Sequence, residues 1–188
     1  MKGKAIVFSA PSGSGKTTIV QSLLQRIPQL SFSISATSRQ KRDNETEGKD
    51  YYFLSEYDFR KKIDNSDFVE WEEVYDGSYY GTLKTEVDRI WRNNQVVVFD
   101  VDVKGGLNLK KYFGQDSLAF FIRVKNFEIL KERLKNRKTE TKESLNRRLD
   151  KAEFEMTFQH KFDRIIVNDE LNEAIRETER LVKEFLKL

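Results

Sequence analysis

The stretch Ala5-Ile-Val-Phe-Ser-Ala-Pro-Ser-Gly-Ser-Gly-Lys-Thr-Thr18 decides the fold. Ala5 to Phe8 is a short apolar run and reads as a buried strand. Ser12, Gly13, Ser14 and Gly15 form a loop of small residues, and Lys16-Thr17-Thr18 opens a helical pattern. Strand, loop and helix in this order are the setting of a phosphate-binding loop. Small residues let backbone N–H groups converge on a polyphosphate, and the helix N-terminus adds partial positive charge. In such a loop Lys16 reaches the β- and γ-phosphates, and the Thr17 hydroxyl ligates Mg²⁺. Thr18 follows on the same turn. Ala10 stands where the strict spacing has its first Gly. Alanine is small and adopts most conformations with negative φ, so the departure is mild. The competing reading is a plain turn that starts a helix.

Strands and helices alternate outward from this loop, which predicts a parallel sheet flanked by helices, a P-loop NTPase core of the α/β class. A helix is expected from about Lys16 to Arg26, where Pro28 blocks continuation. Leu30 to Ala36 is a second strand candidate. Ser38 to Asp50 is a long polar loop, and a loop of that length calls for a function. Tyr51 to Leu54 reads as a short strand, and Ser55 caps a helix over 56–65. Phe68 to Tyr75 is rich in β-formers, and Asp76-Gly77 signals a hairpin into Ser78-Tyr79-Tyr80. Leu83, Val87, Ile90 and Trp91 share a helix face. Val96-Val-Val-Phe99 reads as a central parallel strand ending in Asp100. A strand at Leu118–Val124 precedes a helix carrying Leu130 and Leu134. A polar segment at 135–142 leads to a longer helix with Leu145, Leu149, Ala152 and Met156. Ile165-Ile-Val167 and the amphipathic run from Leu171 to Leu186 close the pattern.

Composition narrows the chemistry. The 188 residues suggest one domain with a mixed β insertion. Charged residues make up 35% of the chain at a net charge of only +3, so the excess is mixed in sign. No long basic tract calls for nucleic acid, while a small positive balance suits anionic small molecules. The absence of cysteine excludes disulfides, thiolate metal sites and cysteine nucleophiles. The lone His160 cannot anchor a multi-histidine centre and reads as a surface residue. Neither a signal peptide nor a membrane span is expected, and the location expected is cytoplasmic.

Asp100, at the end of an apolar strand beside a phosphate loop, is the expected Mg²⁺-side carboxylate, directly or through water. Arg39, Lys41 and Arg42 crowd the long loop, and arginine forks bind phosphate bidentately. Arg133 and Arg137 are four apart on one helix, and Arg147 and Arg148 follow beyond the polar segment. The alternative for each group is a solvated basic surface. Taken together they suggest one cluster for an acceptor phosphate and a second that closes over a donor.

The motifs are more specific than this. The loop is joined by Ser33-Ile-Ser-Ala-Thr-Ser-Arg39, Glu47-Gly-Lys-Asp-Tyr-Tyr-Phe53, Phe68-Val-Glu-Trp71, Tyr79-Tyr-Gly-Thr82 and Phe99-Asp-Val-Asp102. Further on come Arg137 with Thr139-Glu-Thr141, Asn146-Arg-Arg-Leu149 and Ile165-Ile-Val-Asn-Asp169. In this order they resemble the guanylate kinases along the whole chain. The resemblance implies transfer of the γ-phosphoryl of ATP to GMP with Mg²⁺, giving ADP and GDP. It implies a core at about 1–32, 84–125 and 158–188, a GMP-binding region at about 33–83 and a lid at about 126–157. It implies Arg39, Arg42, Tyr51 and Tyr80 at the GMP phosphate, and Ser35, Glu70, Thr82 and Asp102 on the guanine side, with Gly81 also among the GMP contacts. Arg133, Arg137 and Arg148 become phosphate-contacting lid arginines, and Asn168 an adenine-side contact. Lys41, Lys104, and Asn136 and Lys138 flanking Arg137, depart from the family pattern. The expected partners are ATP and GMP, with no nucleic acid and no membrane; a homo-oligomer is left open.

The base chemistry agrees. Guanine presents N1–H and N2–H₂ donors beside the O6 acceptor. A carboxylate such as Glu70 accepts those donors, whereas adenine sets an acceptor against it. Two other readings remain. A kinase for another nucleotide or a sugar phosphate would lack the paired Glu70 and Asp102. A non-catalytic guanylate-kinase-like interaction domain tends to lose the phosphate loop, and Lys16 and Thr17 are present here.

Overall fold

The computed structural model describes residues 3–135 and 142–188. Strand β1 (Ala5–Ser9) lies at the centre of a parallel five-stranded sheet. It is flanked by β7 (Val96–Val101) on one side and β8 (Ser117–Arg123) on the other. β2 (Leu30–Phe32) and β9 (Arg164–Val167) form the edges. Alternation along β1 sorts the core into two layers. Ile6 and Phe8 face α1 (Lys16–Arg26) and α7 (Leu171–Leu186), where Phe8 stacks on Phe120 at 5.0 Å. Ala5 and Val7 face α3 (Lys84–Arg92) and α4 (Val103–Phe113). Burying side chains such as Phe8 and Phe120 completely contributes about 2–3 kcal/mol each.

A second sheet carries β4 (Tyr52–Phe53), β3 (Ala36–Thr37), β6 (Ser78–Leu83) and β5 (Phe68–Tyr75) in that order, with β5 and β6 an antiparallel hairpin. Helix α2 (Glu56–Asp64) packs Phe59 against Phe68 and Tyr79. Its cap is the expected Ser55, whose hydroxyl accepts from Asp58 N at 3.0 Å. Helices α5 (Phe127–Lys135) and α6 (Lys142–Met156) meet through Leu130 and Ala152.

Three expectations need adjusting. The single strand expected at Leu30–Ala36 is two strands in two sheets. After Ser33 N donates to Val98 O, the chain turns away, and Ile34 N is taken by the Glu86 carboxylate at 3.1 Å. Asp100 is the last but one residue of β7 rather than its last, because the strand runs on to Val101. Helix α4 was not foreseen, because Gly105-Gly106 are poor helix formers. The glycines serve packing: a Cβ on Gly106 would stand 2.0 Å from Ser9 Oγ, so only glycine lets α4 lie this close to β1. His160 is exposed, as expected.

Candidate active site

The loop after β1 starts α1 at Gly15, in the left-handed region at φ 84°, with no side-chain cap and no acidic residue in the first turn. The first N–H groups of the helix are thus left to a ligand. Gly15 cannot carry a side chain here: a Cβ would stand 2.3 Å from Asn168 Nδ2. Asn168 braces the loop, donating to Ser14 O at 2.8 Å from a site only 3% exposed. The described structure therefore turns this expected adenine contact into the loop backbone. Arg133 approaches from α5, with Nη2 at 3.5 Å from Asn168 O and Nη1 close to Gly15.

Residues 10–18 line a cavity of about 510 Å³ together with Asp100, Val101, Asp102, Arg148, Lys151 and Glu155. Asp100 is held between the two residues expected beside it. Thr17 Oγ1 donates to Oδ2 at 2.9 Å and the Lys16 ammonium contacts Oδ1. Lys16 also donates to Val101 O at 2.7 Å. Among the described residues no cluster of three or more His, Cys, Asp or Glu could hold a metal ion. A hydroxyl and a carboxylate beside a phosphate site suit a hard cation that takes its other ligands from phosphate and water.

A second cavity, of about 260 Å³, adjoins the first and shares Asp100, Val101, Asp102 and Lys151 with it. Its walls include Ser35, Tyr51, Glu70, Tyr80 and Gly81. Glu70 is cross-strand from Thr82, which is fully buried and donates to Glu70 Oε1 at 2.8 Å. Thr82 thus stands behind Glu70 and orients it. Burial pushes the Glu70 carboxyl up to about 7; the Thr82 bond opposes this and the charge of Asp102 adds to it. Asp102 caps α4, accepting from Gly105 N at 2.8 Å.

Arg39 lies behind the Tyr51 and Tyr80 side of this cavity, its guanidinium over the Tyr51 ring at 5.0 Å. Nε donates to Tyr80 Oη at 3.1 Å, and Nη1 to Gln40 O at 3.0 Å. The fork is closed by Glu45, with Nη1 to Oε2 at 2.7 Å and Nη2 to Oε1 at 2.5 Å. Four of the five guanidinium N–H groups are thereby engaged. Hydrogen bonding from Arg39, and from the Arg42 backbone N, draws the Glu45 carboxyl down to about 2. The Arg42 side chain is exposed beside this pair.

Most of the expected site residues therefore converge. Ser12 to Thr18, Asp100, Asp102 and Arg148 line the first cavity; Ser35, Tyr51, Glu70, Tyr80 and Gly81 line the second, with Arg39 and Thr82 immediately behind. Arg42 belongs to the Arg39 loop but lines neither cavity. Arg137 lies outside the described residues. Sequence reading missed Glu45, which continues the three-residue spacing of Arg39 and Arg42. It also missed Lys151 and Glu155, which steps of three and four from Arg148 along α6 would have reached.

Comparison with known proteins places the chain in a family. The guanylate kinase family profile matches residues 2–185. A guanylate kinase of Bacteroides thetaiotaomicron is 51% identical over 186 residues, 99% of this chain and 91% of that one. One from Porphyromonas gingivalis is 47% identical over 97% of this chain and 98% of its own length. The crystal structure of guanylate kinase from Anaplasma phagocytophilum superposes with a TM-score of 0.73 at 26% identity, covering 98% of this chain and 85% of that one. With a profile spanning nearly its whole length and relatives near half identity, this chain belongs to the guanylate kinase family.

Proposed function

We infer that this chain is an ATP:GMP phosphotransferase that moves the γ-phosphoryl of ATP directly onto the phosphate of GMP. The observation that carries the reading is the meeting of two cavities at the carboxyl end of β7. One is walled by the phosphate loop, and the other by Glu70, Tyr51 and Tyr80, with Arg39 bonded to Tyr80 behind that wall. Sites at the carboxyl ends of parallel strands are where this architecture binds ligands.

The roles follow from the geometry. The loop N–H groups and the first turn of α1 take the ATP phosphates, and Lys16 turns from Asp100 toward the β- and γ-oxygens. Thr17 and Asp100 would hold the Mg²⁺ that accompanies ATP, which neutralises charge as the phosphoryl moves. Tyr51, Tyr80, Arg39 and Arg42 take the GMP phosphate. Arg39 is a fixed positive wall clamped by Glu45, and Arg42 has the freer fork for bidentate contact. Ser35, Glu70 and Asp102 read the guanine, with Thr82 orienting Glu70. Arg133 and Arg148, with Arg137, bring positive charge over the transferring group. No covalent intermediate and no histidine base are required, because positioning and charge neutralisation perform this reaction. Residues 33–83 then form the acceptor region and 126–157 the lid. Among the described residues no helix is long and apolar enough to cross a membrane. The cytoplasm, where nucleotide pools lie, is the location this reading favours.

The test is ADP release from ATP and Mg²⁺ with GMP, AMP, UMP or dTMP as acceptor. GMP should support turnover at least a hundredfold above the others. A preference for any other acceptor would displace the guanine reading.

A further inference from the structure

Among the described residues the two cavities share Asp100, Val101 and Asp102, from the junction of β7 and α4, and Lys151. Lys151 reaches in from α6, with Nζ at 3.9 Å from Asp102 Oδ2 and 3.7 Å from Glu155 Oε1. The acceptor cavity is rich in carboxylates. Glu70 is bonded by Thr82, and Glu72 is paired with Lys104 at 2.8 Å. Asp102 gives Oδ1 to the α4 N-terminus, and Oδ2 faces Lys151. Lys16 is engaged with Asp100. Lys151 is therefore the cation nearest Asp102 in the described ion pairs, and the one that ties α6 to the acceptor wall.

We propose that Lys151 is a positioning residue for the acceptor base, its ammonium holding the Asp102 carboxylate in place at the wall of the acceptor cavity and linking the lid helix to base recognition. The proposal rests on the reading of that cavity as the GMP site. Asp102 is gripped from two directions: the helix N-terminus fixes one oxygen and the lid lysine the other. The carboxylate then stays beside Glu70 rather than swinging along the cap. Burial holds the Glu155 carboxyl up at about 7, with Lys151 opposing and Asp102 reinforcing that shift, so Lys151 serves both acids at once. The side chain is 57% exposed and its contacts are long, which suits an adjustable strap rather than a rigid lock.

Calorimetric titration of GMP and of guanosine into wild type, Lys151→Met, Lys151→Arg, Asp102→Asn and Lys151→Met/Asp102→Asn tests this. Asparagine is also a good cap, so Asp102→Asn keeps α4. Lys151→Met should weaken GMP and guanosine by the same factor, about two- to fivefold for a half-exposed pair. Lys151→Arg should restore most of the loss, and Lys151→Met should cost nothing further in the Asp102→Asn background. A loss confined to GMP would mean that the lysine acts on the phosphate and would overturn the proposal. So would a loss undiminished in Asp102→Asn, or none at all. Wild type that binds neither GMP nor guanosine would instead remove the acceptor-site reading beneath it.

Discussion

Replacing Glu70 by glutamine keeps its shape and tests base recognition. In the structure Oε1 accepts from the Thr82 hydroxyl at 2.8 Å, leaving the other oxygen to the cavity. In Glu70→Gln either the NH₂ faces guanine, setting donor against donor, or the amide flips and one acceptor is lost. Either arrangement costs about 2–4 kcal/mol in GMP recognition. At 1.4 kcal/mol per decade, the GMP-over-AMP preference should shrink by about 10²-fold. The wild-type advantage should itself depend on pH. Burial lifts the Glu70 carboxyl to about 7 from 4.5, and the base needs it ionised, so the wild-type-to-variant ratio in kcat/KM for GMP should fall as pH drops through about 7. Stability carries the opposite sign. A carboxyl with a raised pKa destabilises the fold once ionised, so wild type loses stability between about pH 4.5 and 7. Glutamine removes that cost, and the variant should gain about 1–3 kcal/mol over wild type at pH 8. Kinetics with GMP and AMP from pH 6 to 8.5, with thermal melts from pH 4.5 to 8.5, measure both effects. A variant that discriminates as well as wild type would show that Glu70 does not read the base.

Lys16→Ala should lower kcat at least a hundredfold, about 3 kcal/mol of lost charge stabilisation, with Tm nearly unchanged; retention of more than a tenth of the rate would remove Lys16 from the reaction. Arg42→Ala should raise the GMP KM by about 1.5–3 kcal/mol while leaving ATP binding nearly intact, because a freer fork makes the fuller phosphate contact. Arg39→Ala should also raise it, but its loss leaves Glu45 uncompensated, so adding Glu45→Gln should rescue part of the effect; calorimetry of GMP binding to Arg42→Ala, Arg39→Ala and Arg39→Ala/Glu45→Gln decides. Glu86→Ala should destabilise the fold by about 2–4 kcal/mol, since its 2%-exposed carboxylate receives Ile34 N, Tyr52 Oη and both Arg89 contacts; a melt shifted by less than about 2 °C would contradict this.

Local signals carried most of this architecture. The phosphate loop, the Ser55 cap and the Asp76-Gly77 hairpin each depend on residues a few positions apart, and each is found where its chemistry requires. What the sequence hid depends on distant partners. The break after Phe32 is made by Glu86, more than fifty residues on, which captures Ile34 N. Helix α4 was obscured by two glycines whose use is visible only against Ser9. Of the site, the loop and the Glu70 strand were legible because their residue types are chemically specific. Asp102 drew attention as a ligand while its second duty, capping α4, was invisible without the helix. Glu45 passed unnoticed because an acid in a basic loop is usually solvated, and only the three-dimensional turn closes it on Arg39.

Transfer of label from [γ-³²P]ATP in the presence of Mg²⁺ and GMP tests the central claim most directly. Direct transfer predicts that the label leaves ATP and appears in the β-phosphate of GDP, one GDP for each ADP, with none on the protein. Label in inorganic phosphate without GDP, label bound to the chain as an intermediate, or faster labelling of another nucleoside monophosphate would contradict it.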